Sequence, residues 1–223
     1  MMEAEEAGSM EIDQITLDQA RQFAQQMLPD FDQILNFDQN FLAAQQAARG
    51  GVTNRRDMPV ISTKYVKDLQ ARLEHGYIDL NTPYAPRTGQ NPFPDGLKGE
   101  QAQQWLQNGL KKFDGDKDDD WVSAVISVSR LRDLKPVQRQ IYFDKSIKSI
   151  AKKGVRGMIS KLEDTILISS QDKYLIDGHH RWLAGCLINP KMSVQTLMID
   201  LPMGKLLPLT LTYTDAIGKE RNK

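Results

Sequence analysis

Two hundred and twenty-three residues, 40% apolar and 26% charged, suit one globular domain or one domain with a sizeable extension. A chain of this length buries well over half of its unfolded surface, and a single cysteine, Cys186, excludes an internal disulfide framework. That cysteine count fits a reducing compartment, and neither a membrane-length apolar run nor a secretory signal pattern is visible, so a cytoplasmic protein without a membrane partner is expected.

The formal net charge is zero, but it is unevenly spread. Residues 1–40 hold nine carboxylates against the single base Arg21, and residues 130–161 hold ten bases against Asp133 and Asp144. The two segments therefore carry about −8 and +8, which suggests a phosphate-seeking patch screened by an acidic N-terminal part. Two solvated helix faces of opposite sign would produce the same arithmetic.

In chain order, residues 1–9 read as an appended or disordered tail, with Met10 as the native start. Thr16 and Gln19 form a capping-box pattern, after which Leu17, Ala20, Phe23, Ala24, Met27 and Leu28 recur at helical spacing until Pro29. A second helix is expected through Ile34, Leu35, Phe41 and Leu42, ending at Gly50-Gly51. A third lies between Val60 and Tyr77, carrying Val66, Leu69 and Leu73 on one side. These helices form an N-terminal region, residues 10–113, whose Gln-rich faces suit a protein partner. The Pro/Gly-rich stretch 81–99 reads as a long loop and a candidate boundary. A helix over Ala102, Trp105, Leu106, Leu110 and Phe113 follows. In the acidic run Asp114 to Asp120, the sixth and twelfth positions of a calcium loop would be Asp119 and Val125, not Gly and Glu, so a solvated turn is expected.

After Asp120 the texture changes. Trp121 to Val128 predicts a buried strand, broken at Leu134-Lys135-Pro136, and a helix follows through Phe143, Ile147, Ile150 and Ala151. Strands are expected at Thr165–Ser169 and Tyr174–Ile176, then a helix at His179–Ile188, a strand at Val194–Ile199 and a short helix at Met203–Leu209. This order predicts an α+β (mixed α/β) domain over residues 121–215 behind an α-helical N-terminal region.

The most informative stretch is Tyr174-Leu175-Ile176-Asp177-Gly178-His179-His180-Arg181-Trp182. It spells strand, tight turn, helix. Gly178 permits the turn and leaves backbone N–H groups at the helix start, where the helix dipole favours an anion. Arg181 offers a planar donor fork, while His179 and His180 are able to move protons near neutral pH. Asp177 is able to orient a histidine, hold a magnesium ion or accept a hydroxyl proton. A histidine that caps the helix and another satisfied in the core would be the structural alternative.

The Asp-Gly-His-His-Arg block resembles the phosphate-binding motif of the ParB/sulfiredoxin-like superfamily. The stretch Val128-Ser129-Arg130-Leu131-Arg132-Asp133-Leu134-Lys135-Pro136-Val137-Gln138 is similar to its opening strand and loop. The resemblance covers about residues 122–209 and implies a ParB/sulfiredoxin-like nucleotide-binding core with phosphates at the Gly178–Arg181 turn. It also implies that the Gln138–Gln140 loop faces them. Sulfiredoxin chemistry needs a cysteine where His179 stands, and Cys186 lies two turns further on. Partition proteins carry Glu-Arg-Arg in the motif and a helix-turn-helix domain downstream. The free-serine-kinase branch shares the wording of the motif, but it places a carboxylate where Gln138 and Gln140 stand here. Glutamine is no general base, so Asp177, Asp133 or Asp144 would have to serve.

The expectation is thus a nucleotide-dependent phosphotransferase or NTP hydrolase using ATP or ADP, or else CTP, with Mg2+. Gly178, His179, His180, Arg181, Lys135 and Arg139 would hold phosphates, with Asp177, His179, His180 and Gln138 as the catalytic set and Asp177 the metal ligand. The alternatives are a nucleic-acid-binding or nuclease-type ParB-like protein, DNA-binding through residues 130–161 and of phage origin in a host cytoplasm, and a non-enzymatic nucleotide-binding interaction protein. No Walker A loop, paired-cysteine zinc site or Gly-x-Ser-x-Gly elbow occurs.

Overall fold

The computed structural model describes residues 8–30, 34–78, 80, 99–107 and 121–219. Most of the 81–99 stretch, Leu110, Phe113 and the Asp114 to Asp120 run lie outside them. The elements are α1 (Leu17–Met27), α2 (Phe37–Ala48), α3 (Thr63–Glu74), α4 (Gly99–Gln107), β1 (Ala124–Arg130), β2 (Lys135–Pro136), α5 (Phe143–Glu163), β3 (Ile166–Ser170), β4 (Tyr174–Asp177), α6 (His179–Ile188), β5 (Ser193–Ile199) and α7 (Met203–Ala216). The fold is α+β, as the residue pattern predicts.

The strands form one mixed sheet in the order β1-β5-β3-β4-β2. β1 runs antiparallel to β5, β5 parallel to β3, β3 antiparallel to β4, and β4 parallel to β2. Successive side chains of a strand leave on opposite faces. Leu167, Leu175 and Val194 accordingly enter one buried cluster, while Ile168, Ile176 and Leu197 enter another. The first cluster joins the sheet to α1, α2, α5 and α6, and the second joins it to α3, α4 and α7. Both faces are covered, which is why the central strands read as apolar runs rather than as alternating patterns.

The first cluster runs without a break from Ile12 to Val194, so the N-terminal helices share a core with the motif helix. The capping box at Thr16 and Gln19 forms as the spacing predicts. Phe23, Phe37 and Phe41 set their rings against Phe143 at the start of α5, with centroids 5.6–6.2 Å apart. Ser9 and Met10, at the edge of the expected tail, both donate backbone N–H groups to the buried Asp144 carboxylate at 3.2 Å.

Three elements depart from the sequence expectations. The strand expected to be buried, Trp121 to Val128, is β1, which lies at the edge of the sheet with Trp121, Val125, Ile126 and Val128 exposed. Lys135-Pro136, read as a break, is β2, a two-residue edge strand defined by its partner Tyr174-Leu175 on β4. Proline fits there because an edge strand needs no donor on its outer side. The final helix does not stop at Leu209 but continues through Pro208 to Ala216. The Thr-Leu-Thr-Tyr-Thr stretch has β-type residues, yet Thr210 and Thr212 donate their hydroxyls to carbonyls one turn back, and Tyr213 is fully buried. Tertiary burial overrides the local preference.

Candidate functional site

β4 delivers Asp177 to the sheet's end, and Gly178 turns the chain into α6 with φ of 88°. That backbone state suits glycine. Space demands glycine as well, since a Cβ there would lie 2.8 Å from Leu167 Cδ2 and 3.1 Å from Arg181 Nη2. Among the described residues no side chain caps the N-terminus of α6. The Gly178 N–H is taken by Asp177 Oδ1 at 2.7 Å, leaving the first-turn N–H groups of His179, His180 and Arg181 as the helix's orphan donors.

The two imidazoles serve the scaffold. His179 Nε2 accepts the backbone N–H groups of both Val137 and Gln138 at 3.2 Å, and the ring is 3% exposed. His180 Nε2 accepts the Tyr142 N–H at 3.0 Å, with the Tyr142 ring stacked on the imidazole at 5.8 Å. The loop after β2 therefore hangs from the motif by three donors. An acceptor nitrogen carries no proton, and both histidines ionise far below the usual range, near 3. Burial is the main cause for each. The His180 charge adds to it at His179, and the Arg55 and Lys145 charges add to it at His180.

Asp177 is a tie as well as a site residue. Its Oδ2 accepts the Ile61 N–H at 3.2 Å and lies 3.8 Å from Arg181 Nη2. Burial pushes the carboxyl above its ordinary pKa, opposed by the Arg181 charge and by the Gly178 and Ile61 N–H groups. Through Ile61, the segment before α3 is fastened across the front of the motif. The same segment runs beside the β2 loop, with the Arg139 N–H on the Thr53 carbonyl at 2.9 Å and the Arg55 N–H on Gln140 Oε1 at 2.8 Å.

Between this segment and α5 lies a cleft of about 820 Å³. Lys145, Lys148, Lys152, Lys153 and Lys161 of α5 line it, with Arg55 on one side and Arg181 at the turn. Asp177 is the one carboxylate among its described lining residues. Lys145, Lys148 and Lys152 follow i, i+3, i+7 spacing and so share one helix face. Gly154 breaks α5 with φ of 72° and ψ of 163°, a backbone state that is essentially glycine's own, and Lys161 beyond the break still lines the cleft. The Lys161 ammonium is pushed below its usual pKa by burial and then by the charges of Lys153 and Arg181. Cations crowd one another here.

Of the residues singled out in the sequence, Asp177, Gly178, His179, His180, Arg181 and Gln138 meet at this cleft. Gln138 is buried and gives its side-chain amide to the Gln140 carbonyl. Lys135 and Arg139 do not line the cleft. Lys135 sits exposed over the Tyr174 ring at 4.7 Å, and Arg139 is exposed beside Thr53. Of the alternative bases, Asp144 is occupied by Ser9 and Met10, and Asp133 lies exposed beside Arg132, so Asp177 alone reaches the site. Cys186 is buried in α6 with its thiol pKa pushed up by burial, away from the cleft lining. Sequence reasoning missed Arg55 altogether, because nothing local marks a residue that arrives from the far side of the fold. The helical spacing of the α5 lysines was the readable signal for theirs.

The described residues hold no group of three metal-ligating side chains. Asp177 alone would fit a magnesium ion only in the mode where substrate phosphates supply most of the ligands. No described helix is long and apolar enough to cross a membrane. Fold and site thus define a class: an α+β protein with a strongly cationic cleft at a strand–glycine–helix turn. No family model, no curated protein and no solved structure matches the chain.

Proposed function

We propose that the cleft binds the phosphates of a nucleotide, and that the protein is a nucleotide-dependent phosphotransferase or NTP hydrolase. One observation carries this reading: among the described residues, seven cationic side chains and one carboxylate line a cleft at the start of a helix that no described side chain caps. Orphan N–H groups and the helix dipole favour a phosphate, and Arg181 adds a fork to them. The likeness of Asp177 to Arg181 to the ParB/sulfiredoxin-like motif points the same way. In the mechanism, the first-turn N–H groups and Arg181 hold the phosphates, while the α5 lysines neutralise charge that builds up during transfer. Asp177, its basicity raised by burial, accepts the proton of the attacking hydroxyl or water. Magnesium would enter with the nucleotide. His179 and His180 position the β2 loop rather than shuttle protons.

A thermal-shift series with ATP, ADP, CTP and GTP, with and without magnesium, tests the binding. At a hundred times Kd a ligand stabilises by about 2.7 kcal/mol, which for a domain of this size raises Tm by about 5–10 °C. Arg181→Ala should abolish that rise while leaving the ligand-free Tm within a degree or two, since its partner Asp177 keeps two backbone donors. A variant that loses stability instead would make Arg181 a structural residue.

A second reading, non-enzymatic nucleotide binding, is favoured by the commitment of both imidazoles to backbone donors. Asp177→Asn separates the two. An enzyme should lose at least a hundredfold in phosphate release or transfer yet keep its ligand-induced Tm rise. A binding protein shows no turnover before or after the change.

A further inference from the structure

The positive charge of the cleft is not confined to the Gly178 turn. Lys145, Lys148 and Lys152 form a row on α5, and seven residues of helix carry it over about 10 Å. At one end stand Lys161 and Arg181 beside the turn. At the other, Arg55 lines both this cleft and a second, smaller one of about 270 Å³, bounded by Asn54, Arg56, Gln140 and Tyr142. The phosphates of a single nucleotide cluster at one end of the molecule and would engage only part of such a row. A nucleic-acid strand places a phosphate every 3.4 Å or so along its axis even in a duplex, so the row spans two or three of them.

The smaller pocket has different chemistry. It offers two guanidinium groups, two carboxamides and an aromatic ring, and Arg55 lies 5.7 Å from the centroid of the Tyr142 ring. Aromatic rings and guanidinium planes stack against unpaired bases, and amides and guanidinium groups bond base edges. The larger space is a cleft of about 820 Å³, walled on its far side by Met58, Pro59 and Val60.

We infer that the substrate or acceptor of the cleft is a single-stranded nucleic acid, its backbone laid along the α5 lysines and one unstacked base held by the Asn54–Arg56, Gln140 and Tyr142 pocket. This rests on the phosphate-binding reading of the cleft and names the polyanion that fills it. Arg55 is the junction, bridging the phosphate track and the base pocket. The N-terminal region, through residues 54–61, supplies one wall of the strand's path.

Fluorescence anisotropy with a labelled strand of about ten nucleotides, made both as DNA and as RNA, tests this across a salt series. With four or five phosphates neutralised, the slope of log K against log salt should be about −3, at roughly 0.7 per phosphate for a single strand. The paired substitution Lys148→Gln, Lys152→Gln should flatten that slope to about −1.5, and Lys148→Arg, Lys152→Arg should restore it. Arg56→Gln should weaken the strand about tenfold with no change in Tm. Unequal affinity for the two strands would identify the sugar the pocket accepts, and equal affinity would assign recognition to phosphate and base; both support the inference. ATP that raises Tm while the strand binds no more tightly than ATP, or with a slope shallower than about −1, overturns this inference and leaves the nucleotide reading standing. Failure of both ATP and the strand to bind overturns both. A duplex of the same sequence binding as tightly as the strand overturns the single-strand assignment.

Discussion

Lowering the pH from 7 to 5 should remove about 4 kcal/mol of folding stability, most of it through His179 and His180. Each imidazole ionises near 3 in the fold against 6.5 in the free side chain. Between those values the unfolded chain binds protons that the folded one does not, so stability is complete above pH 6.5 and declines as pH falls towards 3. The slope reaches about 1.4 kcal/mol per pH unit for each histidine. Protonation would turn an acceptor nitrogen into a donor facing the N–H groups of Val137, Gln138 and Tyr142. It would also add charge beside Arg55 and Lys145, with Asp144 the carboxylate that partly offsets them. Asp177 acts in the other direction, since a raised carboxyl pKa favours the fold as pH falls. Urea titrations at half-unit pH steps measure the balance. His180→Gln should halve the slope, and a wild-type profile flat from pH 7 to 5 would rule out the acceptor role of the imidazoles.

Gly178→Ala should cost about 3 kcal/mol and weaken anion binding as well. The left-handed backbone accounts for about 1–2 kcal/mol in an L-residue. The rest comes from the new methyl, 2.8 Å from Leu167 Cδ2, because Leu167 is buried in the sheet and is unable to retreat freely. The same methyl meets Arg181 Nη2 at 3.1 Å and Nε at 3.3 Å, so the guanidinium must leave the turn. A Tm lowered by about 6–12 °C is expected. Gly204→Ala is the matched control. It lies in α7 with no atom within 4 Å of an added Cβ, and should gain about 0.5–1 kcal/mol by limiting the unfolded chain. If both substitutions behaved alike, the turn would not require glycine.

These two results bear on one idea, that the motif is a scaffold joint and an anion cradle at once. The side chains of His179, His180 and Asp177 face inward and fasten the β2 loop and the Ile61 segment. His179 and His180 also begin α6, whose first turn lines the cleft. Five residues thereby hold three chain segments together and leave the helix start uncapped.

The division between local and long-range information follows from this. By itself the sequence determined α6, β4 and the turn between them, because Tyr174 to Ile188 carries its own instructions: apolar strand residues, then a glycine able to adopt positive φ, then Leu183, Ala184 and Leu187 at helical spacing. It also determined the capping box of α1 and the positive character of α5, both readable from spacing within one or two turns. Tertiary structure alone decided what the histidines do, since their donors lie 38–42 residues away. It made a strand of Lys135-Pro136, carried α7 past Pro208, and brought Arg55 to the lysine row while keeping Lys135 and Arg139 off it. Each of those outcomes depends on which apolar faces pack together across the sheet, and that is a property of the whole core rather than of any window along the chain.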